Sequence, residues 1–114
     1  MSLADKHCVP CEGGVPTLTP AEVDALRVEF PGWEVIDGGT KIRRGWTAKH
    51  FRAAIEFFDK IRDVAEAEGH HPDLHLEGYR NVTVVIWTHA IGGLSENDFI
   101  LAAKIDAIDW SHRA

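Results

Sequence analysis

The spacing of apolar residues changes along the chain, and each change marks an element. Residues 1–18 hold glycines, prolines and charges without periodicity, which predicts a flexible arm. Val23, Leu26 and Phe30 then recur at helical spacing, and Thr19-Pro20 with Glu22 forms a helix start of capping-box type. Pro31-Gly32 stops that helix. Trp33–Asp37 and Thr40–Trp46 read as two strands across Gly38-Gly39, because Asp-Gly-Gly supplies positive φ readily. Phe51, Ile55, Phe58, Ile61 and Ala65 form a stripe on a long helix, expected to run from a Thr47 cap to Glu68 and to end at Gly69. Leu74–Glu77 is a short strand, and Asn81–His89 is the strongest one. Its alternation puts Thr83, Val85, Trp87 and His89 on one face and Val82, Val84, Ile86 and Thr88 on the other. Both faces are largely apolar, so it is expected to be central. Ser95 opens a last helix towards Trp110, with Leu101, Ile105 and Ile108 on a stripe that Phe99, Ala102 and Ala103 broaden. A stripe so wide predicts cover from beyond one sheet face, such as another subunit. The sum over residues 19–114 is an α+β domain: a single antiparallel sheet of about four strands with helices packed on one face.

Composition narrows the function classes. A chain of 114 residues that is 45% apolar can build one core without disulfide or metal support. No apolar run reaches the ~20 residues of a membrane span, and the N-terminus has no targeting pattern, so a soluble cytoplasmic protein with no membrane partner is expected. A net charge of −6 opposes a broad phosphate-binding surface, so no nucleic-acid partner is expected, whereas a small neutral ligand is compatible. Cys8 and Cys11 make a lone Cys-x-x-Cys. Gly13-Gly14 and Pro16 follow where a redox helix would have to start, and no second pair completes a zinc site. Two reduced thiols on an arm fit best.

The chemistry-bearing residues concentrate between Glu66 and Asp98. Glu66 lies four residues before His70, within reach of a hydrogen bond that would fix the imidazole tautomer; its plain reading is a solvated residue beside Glu68. His70-His71-Pro72-Asp73 follows the helix end, where histidine also suits the helix dipole. His89 ends the central strand with Trp87 two residues before it, either a core indole or a stacking wall for a flat ring. Asp98, three residues after Ser95, has a structural reading as a helix cap. His70, His71, His75 and His89 with the two cysteines could ligate zinc, but no known metal spacing is matched, so no metal is expected. Walker and nucleophile-elbow motifs are absent from the sequence.

Taken jointly, Glu66-x-x-x-His70-His71-Pro72-Asp73, Tyr79, Trp87-Thr88-His89 and Gly93-Leu94-Ser95-Glu96-x-Asp98 resemble the pterin-4a-carbinolamine dehydratase family, over residues 17 to 110. The resemblance implies an α+β fold, a homodimer or homotetramer, and a hydro-lyase that uses neither metal nor organic cofactor. Its substrate would be a 4a-hydroxytetrahydropterin, dehydrated to the quinonoid dihydropterin in tetrahydropterin recycling. Loss of hydroxide from C4a needs an acid for the oxygen and a base for a ring N–H, and imidazoles with pKa ~6.5 serve both. On matching positions it implies proton transfer by His70 and His89, and substrate placement with a share in proton transfer by His71. It places Glu66, Pro72, Trp87, Thr88 and Asp98 around the substrate, Glu66 orienting His70 and Asp98 supporting the pocket rim. The Glu77-Gly78-Tyr79 loop is slightly longer than in animal members, and the Cys8-x-x-Cys11 arm lies outside the motif. The competing expectation, drawn from the wide stripe on the last helix, is a non-catalytic pterin-binding or protein-dimerisation module on the same fold.

Overall fold

In the computed structural model, which describes residues 3–8 and 16–110, Thr19 opens helix α1 (Pro20–Arg27) as its sequence demands. Its Oγ1 accepts the Glu22 N–H at 3.2 Å, and Glu22 Oε1 accepts the Thr19 N–H at 2.9 Å. The helix ends at Arg27, before Phe30, which still packs on Phe99 with ring centroids 5.9 Å apart. Strands β1 (Glu34–Ile36) and β2 (Lys41–Thr47) flank a tight turn in which Asp37, Gly38 and Gly39 all take positive φ. Because β2 runs through Thr47, that residue caps no helix. Helix α2 (Phe51–Glu68) is capped by His50, whose Nδ1 accepts the Ala53 N–H at 3.1 Å, and it ends on Gly69 at φ 63°. Strands β3 (Asp73–Glu77) and β4 (Asn81–Ile86) follow, then helix α3 (Glu96–Asp106).

The four strands pair in the order β1-β2-β4-β3, every neighbour antiparallel, so β4 is central. Val82, Val84 and Ile86 of β4, with Ile42 and Trp46 of β2, are buried and join the core formed with α2 and α3. The fold is therefore α+β, three helices against one four-stranded antiparallel sheet among the described residues. No described helix is long and apolar enough to cross a membrane.

Two helix faces differ from expectation. On α2 the buried positions are Ala53, Ala54, Phe57, Ile61 and Ala65, whereas Phe51 is 54% and Ile55 38% exposed. Three of these five are alanines, which let the helix approach its neighbours closely beside Phe57 and Ile61. On α3 every residue from Asn97 to Ala103 is buried within the chain itself. Beyond α2 and β4, its cover comes from the N-terminal 3₁₀ turn Leu3–Asp5, where Lys104 Nζ donates to the Ala4 carbonyl at 2.8 Å. The wide stripe thus needs no second subunit to cover it, and residues 3–8 of the expected arm lie against α3. Cys11 falls outside the described residues.

Candidate active site

Gly69 decides what the histidines meet. Its left-handed backbone ends α2 and turns the chain so that His70, 6% exposed, enters the interior. There His70 Nε2 lies 2.7 Å from Asp98 Oδ1, with Asp98 fully buried. The other oxygen of Asp98 accepts the Ser95 N–H at 2.8 Å and the Thr88 hydroxyl at 2.8 Å, and Thr88 Oγ1 also lies 2.8 Å from Ser95 Oγ. Three donors therefore converge on one carboxylate that also caps α3. A carboxylate only accepts, so His70 Nε2 carries a proton in this contact.

His71 turns the other way. Its Nε2 is 3.3 Å from Glu66 Oε2, with the two side chains 63% and 71% exposed. The expected Glu66–His70 pairing is thus replaced by Glu66–His71 and Asp98–His70. The four-residue spacing holds only while the helix continues, and Gly69 stops it one residue too soon.

Strand β4 also ends early, at Ile86. Thr88 then bridges to Gly93, its N–H donating to the Gly93 carbonyl at 2.9 Å, and His89–Ile91 forms a 3₁₀ turn. This leaves His89 exposed beside Trp87, ring centroids 4.1 Å apart and tilted by 34°. Trp87 Nε1 donates to Asp73 Oδ2 at 3.3 Å, and Lys41 Nζ sits 4.7 Å from its ring centre.

These turns create a cleft of about 230 Å³ lined by Gly69, His70, His71, Trp87, Thr88, His89 and Ala90. It unites the three histidines with Trp87 and Thr88. Asp98 stands behind His70, Glu66 reaches the site through His71, and Pro72 is the half-buried link into β3. Tyr79 lies at the opposite end of the β3–β4 hairpin, since Asp73 pairs with Val85 near the cleft and Glu77 with Asn81 far from it. A larger cleft, about 550 Å³ between the N-terminal turn, α1 and α3, has no imidazole among its described lining residues. The three imidazoles are in the smaller one. No group of three or more His, Cys, Asp or Glu among the described residues is placed to hold a metal ion.

Three polar residues received no site role in the sequence reading, although Asp73 and Ser95 lie within its motifs. Asp73 holds Trp87, Lys41 overlies it, and Ser95 completes the Asp98 network. The antiparallel register of β3 on β4 would have brought Asp73 to the Trp87 end of the hairpin.

Residues 16–108 match the family model described as pterin 4 alpha carbinolamine dehydratase. A mitochondrial pterin-4-alpha-carbinolamine dehydratase 2 from Arabidopsis thaliana is 50% identical over 113 residues, covering 94% of this chain; the chain spans 60% of that protein's length. A putative pterin-4-alpha-carbinolamine dehydratase from Methylococcus capsulatus is 46% identical, covering 94% of this chain and 93% of its own. A crystal structure from Brucella melitensis, described as a transcriptional coactivator/pterin dehydratase, has a TM-score of 0.75 at 32% identity, over 81% of this chain and 97% of that one. The chain belongs to the pterin-4a-carbinolamine dehydratase family of hydro-lyases.

Proposed function

We propose that the chain dehydrates a 4a-hydroxytetrahydropterin to the quinonoid dihydropterin by histidine acid/base catalysis, in tetrahydropterin recycling. One observation carries the reading: three imidazoles border one cleft, and one of them is locked onto a buried carboxylate. The C4a–O bond breaks as the hydroxyl takes a proton and leaves as water, while a ring N–H gives a proton up. One proton is delivered and one is removed, so two imidazoles suffice; the acid ends neutral and the base protonated, and exchange of that proton with solvent restores both.

His70 and His89 transfer the protons, and His71 places the substrate and shares in transfer. Asp98 fixes the His70 tautomer, with Thr88 fixing Asp98 in turn. Trp87 offers an aromatic wall for a flat ring. Glu66 orients His71, and Pro72 keeps the backbone of His71 extended. Stopped-flow mixing with a 4a-hydroxytetrahydropterin tests the assignment. The expected result is acceleration over buffer that falls ~10²–10⁴-fold in His70→Ala and in His89→Ala, with losses that do not add in the double variant. Equal rates with and without the protein would refute it.

The chain is further proposed to form a homodimer or homotetramer. Phe51 and Ile55 give α2 an exposed apolar strip, and Leu74 is exposed on edge strand β3. Light scattering that returns the monomer mass at micromolar concentration would reject this.

A further inference from the structure

Glu68 occupies a position that elementary electrostatics disfavours. It is the last residue of α2, where the helix dipole is negative, and its side chain is only 5% exposed. Such a carboxylate persists where neighbours offset both costs. Oε1 accepts the backbone N–H of Cys8 at 2.7 Å, while Oε2 lies 3.0 Å from His7 Nδ1 and 3.8 Å from Lys104 Nζ. Burial pushes the Glu68 carboxyl up, and the Cys8 N–H, with His7 and Lys104, more than cancels that push, leaving it below its ordinary value.

The same N-terminal segment is also fastened to α3. Lys104 Nζ donates to the Ala4 carbonyl at 2.8 Å, Lys6 Nζ pairs with Glu96 Oε1 at 3.2 Å, and the Cys8 thiol donates to the Asn97 carbonyl at 3.6 Å. Glu68 stands two residues before His70, and Asn97 one residue before Asp98. Residues 4–8 therefore bridge the end of the element that delivers His70 and the start of the element that delivers Asp98.

We propose that Glu68 is a positioning residue: by fastening residues 4–8 across the junction of α2 and α3, it holds His70 and Asp98 at hydrogen-bonding distance. Its effect on rate rests on the reading of His70 as a proton-transfer group. The role is transmitted through the backbone and through Cys8, so it should alter turnover more than substrate binding.

The test uses the full chain and reads kcat, KM and, by proton NMR, the strongly deshielded resonance of the His70 N–H shared with Asp98, assigned by its loss in His70→Gln. Glu68→Ala is expected to lower kcat on the order of 10- to 100-fold, because small misplacements of reacting groups cost that much, with KM changed less than about threefold and the resonance shifted or broadened. Glu68→Gln, which keeps an acceptor for the Cys8 N–H, should recover kcat to within about threefold. Arg62→Ala, which removes only exposed ion pairs on the same helix, should match the wild type. An unmoved resonance in Glu68→Ala overturns the proposal, whether or not kcat falls. If Glu68→Ala does not fold, Cys8→Pro removes the donor and keeps the carboxylate, with Cys8→Ala as its control; wild-type behaviour of Cys8→Pro then overturns it. Absence of dehydration by the wild-type protein defeats the parent reading alone, and the resonance still decides the role of Glu68.

Discussion

His70 and His71 are chain neighbours held in opposite surroundings. His70 is buried and fixed at 2.7 Å on a carboxylate that has two further donors, whereas His71 is exposed and 3.3 Å from a carboxylate that is itself exposed. The first arrangement is enclosed by protein donors and acceptors; the second faces solvent. A single glycine at φ 63°, just before the pair, ends the helix and turns the first of them inward. Preorganisation in this site is therefore a property of one histidine, and the cleft combines a rigid wall with a compliant one.

The contrast is sharpest at the carboxylates. Asp98→Ala would leave the His70 N–H, the Ser95 N–H and the Thr88 hydroxyl without their acceptor in the interior. A loss of ~3–5 kcal/mol by urea unfolding is expected, together with loss of turnover. Glu66→Ala should cost under ~1 kcal/mol, the usual scale of an exposed pair. Comparable destabilisation in both would erase the distinction.

At the imidazoles, His71→Ala should act mainly on KM, a few-fold, against the ~10²–10⁴-fold rate loss expected for His70→Ala. Matching kcat losses in steady-state assays would mean that burial does not set the division of labour. His89→Ala should share the rate loss while unfolding within ~0.5 kcal/mol of the wild type, because the ring is exposed on a turn.

The smallest effect concerns acid. The Glu68 carboxyl lies below its ordinary value of 4.5 in the folded state, so the unfolded chain binds that proton more readily. Its contribution is complete above 4.5 and disappears as pH falls through the lower folded value. The gap in urea midpoint between wild type and Glu68→Gln should accordingly close as pH drops below 4.5. A gap that widens there would contradict the sign.

Local signals made much of the fold legible in the sequence. Thr19 and Glu22 form the expected capping box, Asp37-Gly38-Gly39 makes the expected turn, and β-branched alternation placed β4 at the sheet centre. Where the reading failed, the deciding contact was distant or lacked a hydrophobic signature. Phe51 and Ile55 outweigh alanine on any apolar scale, yet the alanines face the core. The cover on α3 comes from a segment without periodicity, so nothing local announces it. Within the candidate site, the grouping of His70, His71, Trp87, Thr88 and His89 around one cleft was legible and the pairing of carboxylates with histidines was not, because Asp98 reaches His70 across 28 positions and only after Gly69 has turned the chain.

Asp98 closes the first turn of α3 with one oxygen and holds His70 with the other. The helix start and the histidine clamp are thus one structural unit, and a change at Asp98 that releases His70 also frays the scaffold. Descendants of this chain that keep the fold but abandon the reaction should therefore have lost His89 or His71 first, with Asp98 among the last of the site residues to drift.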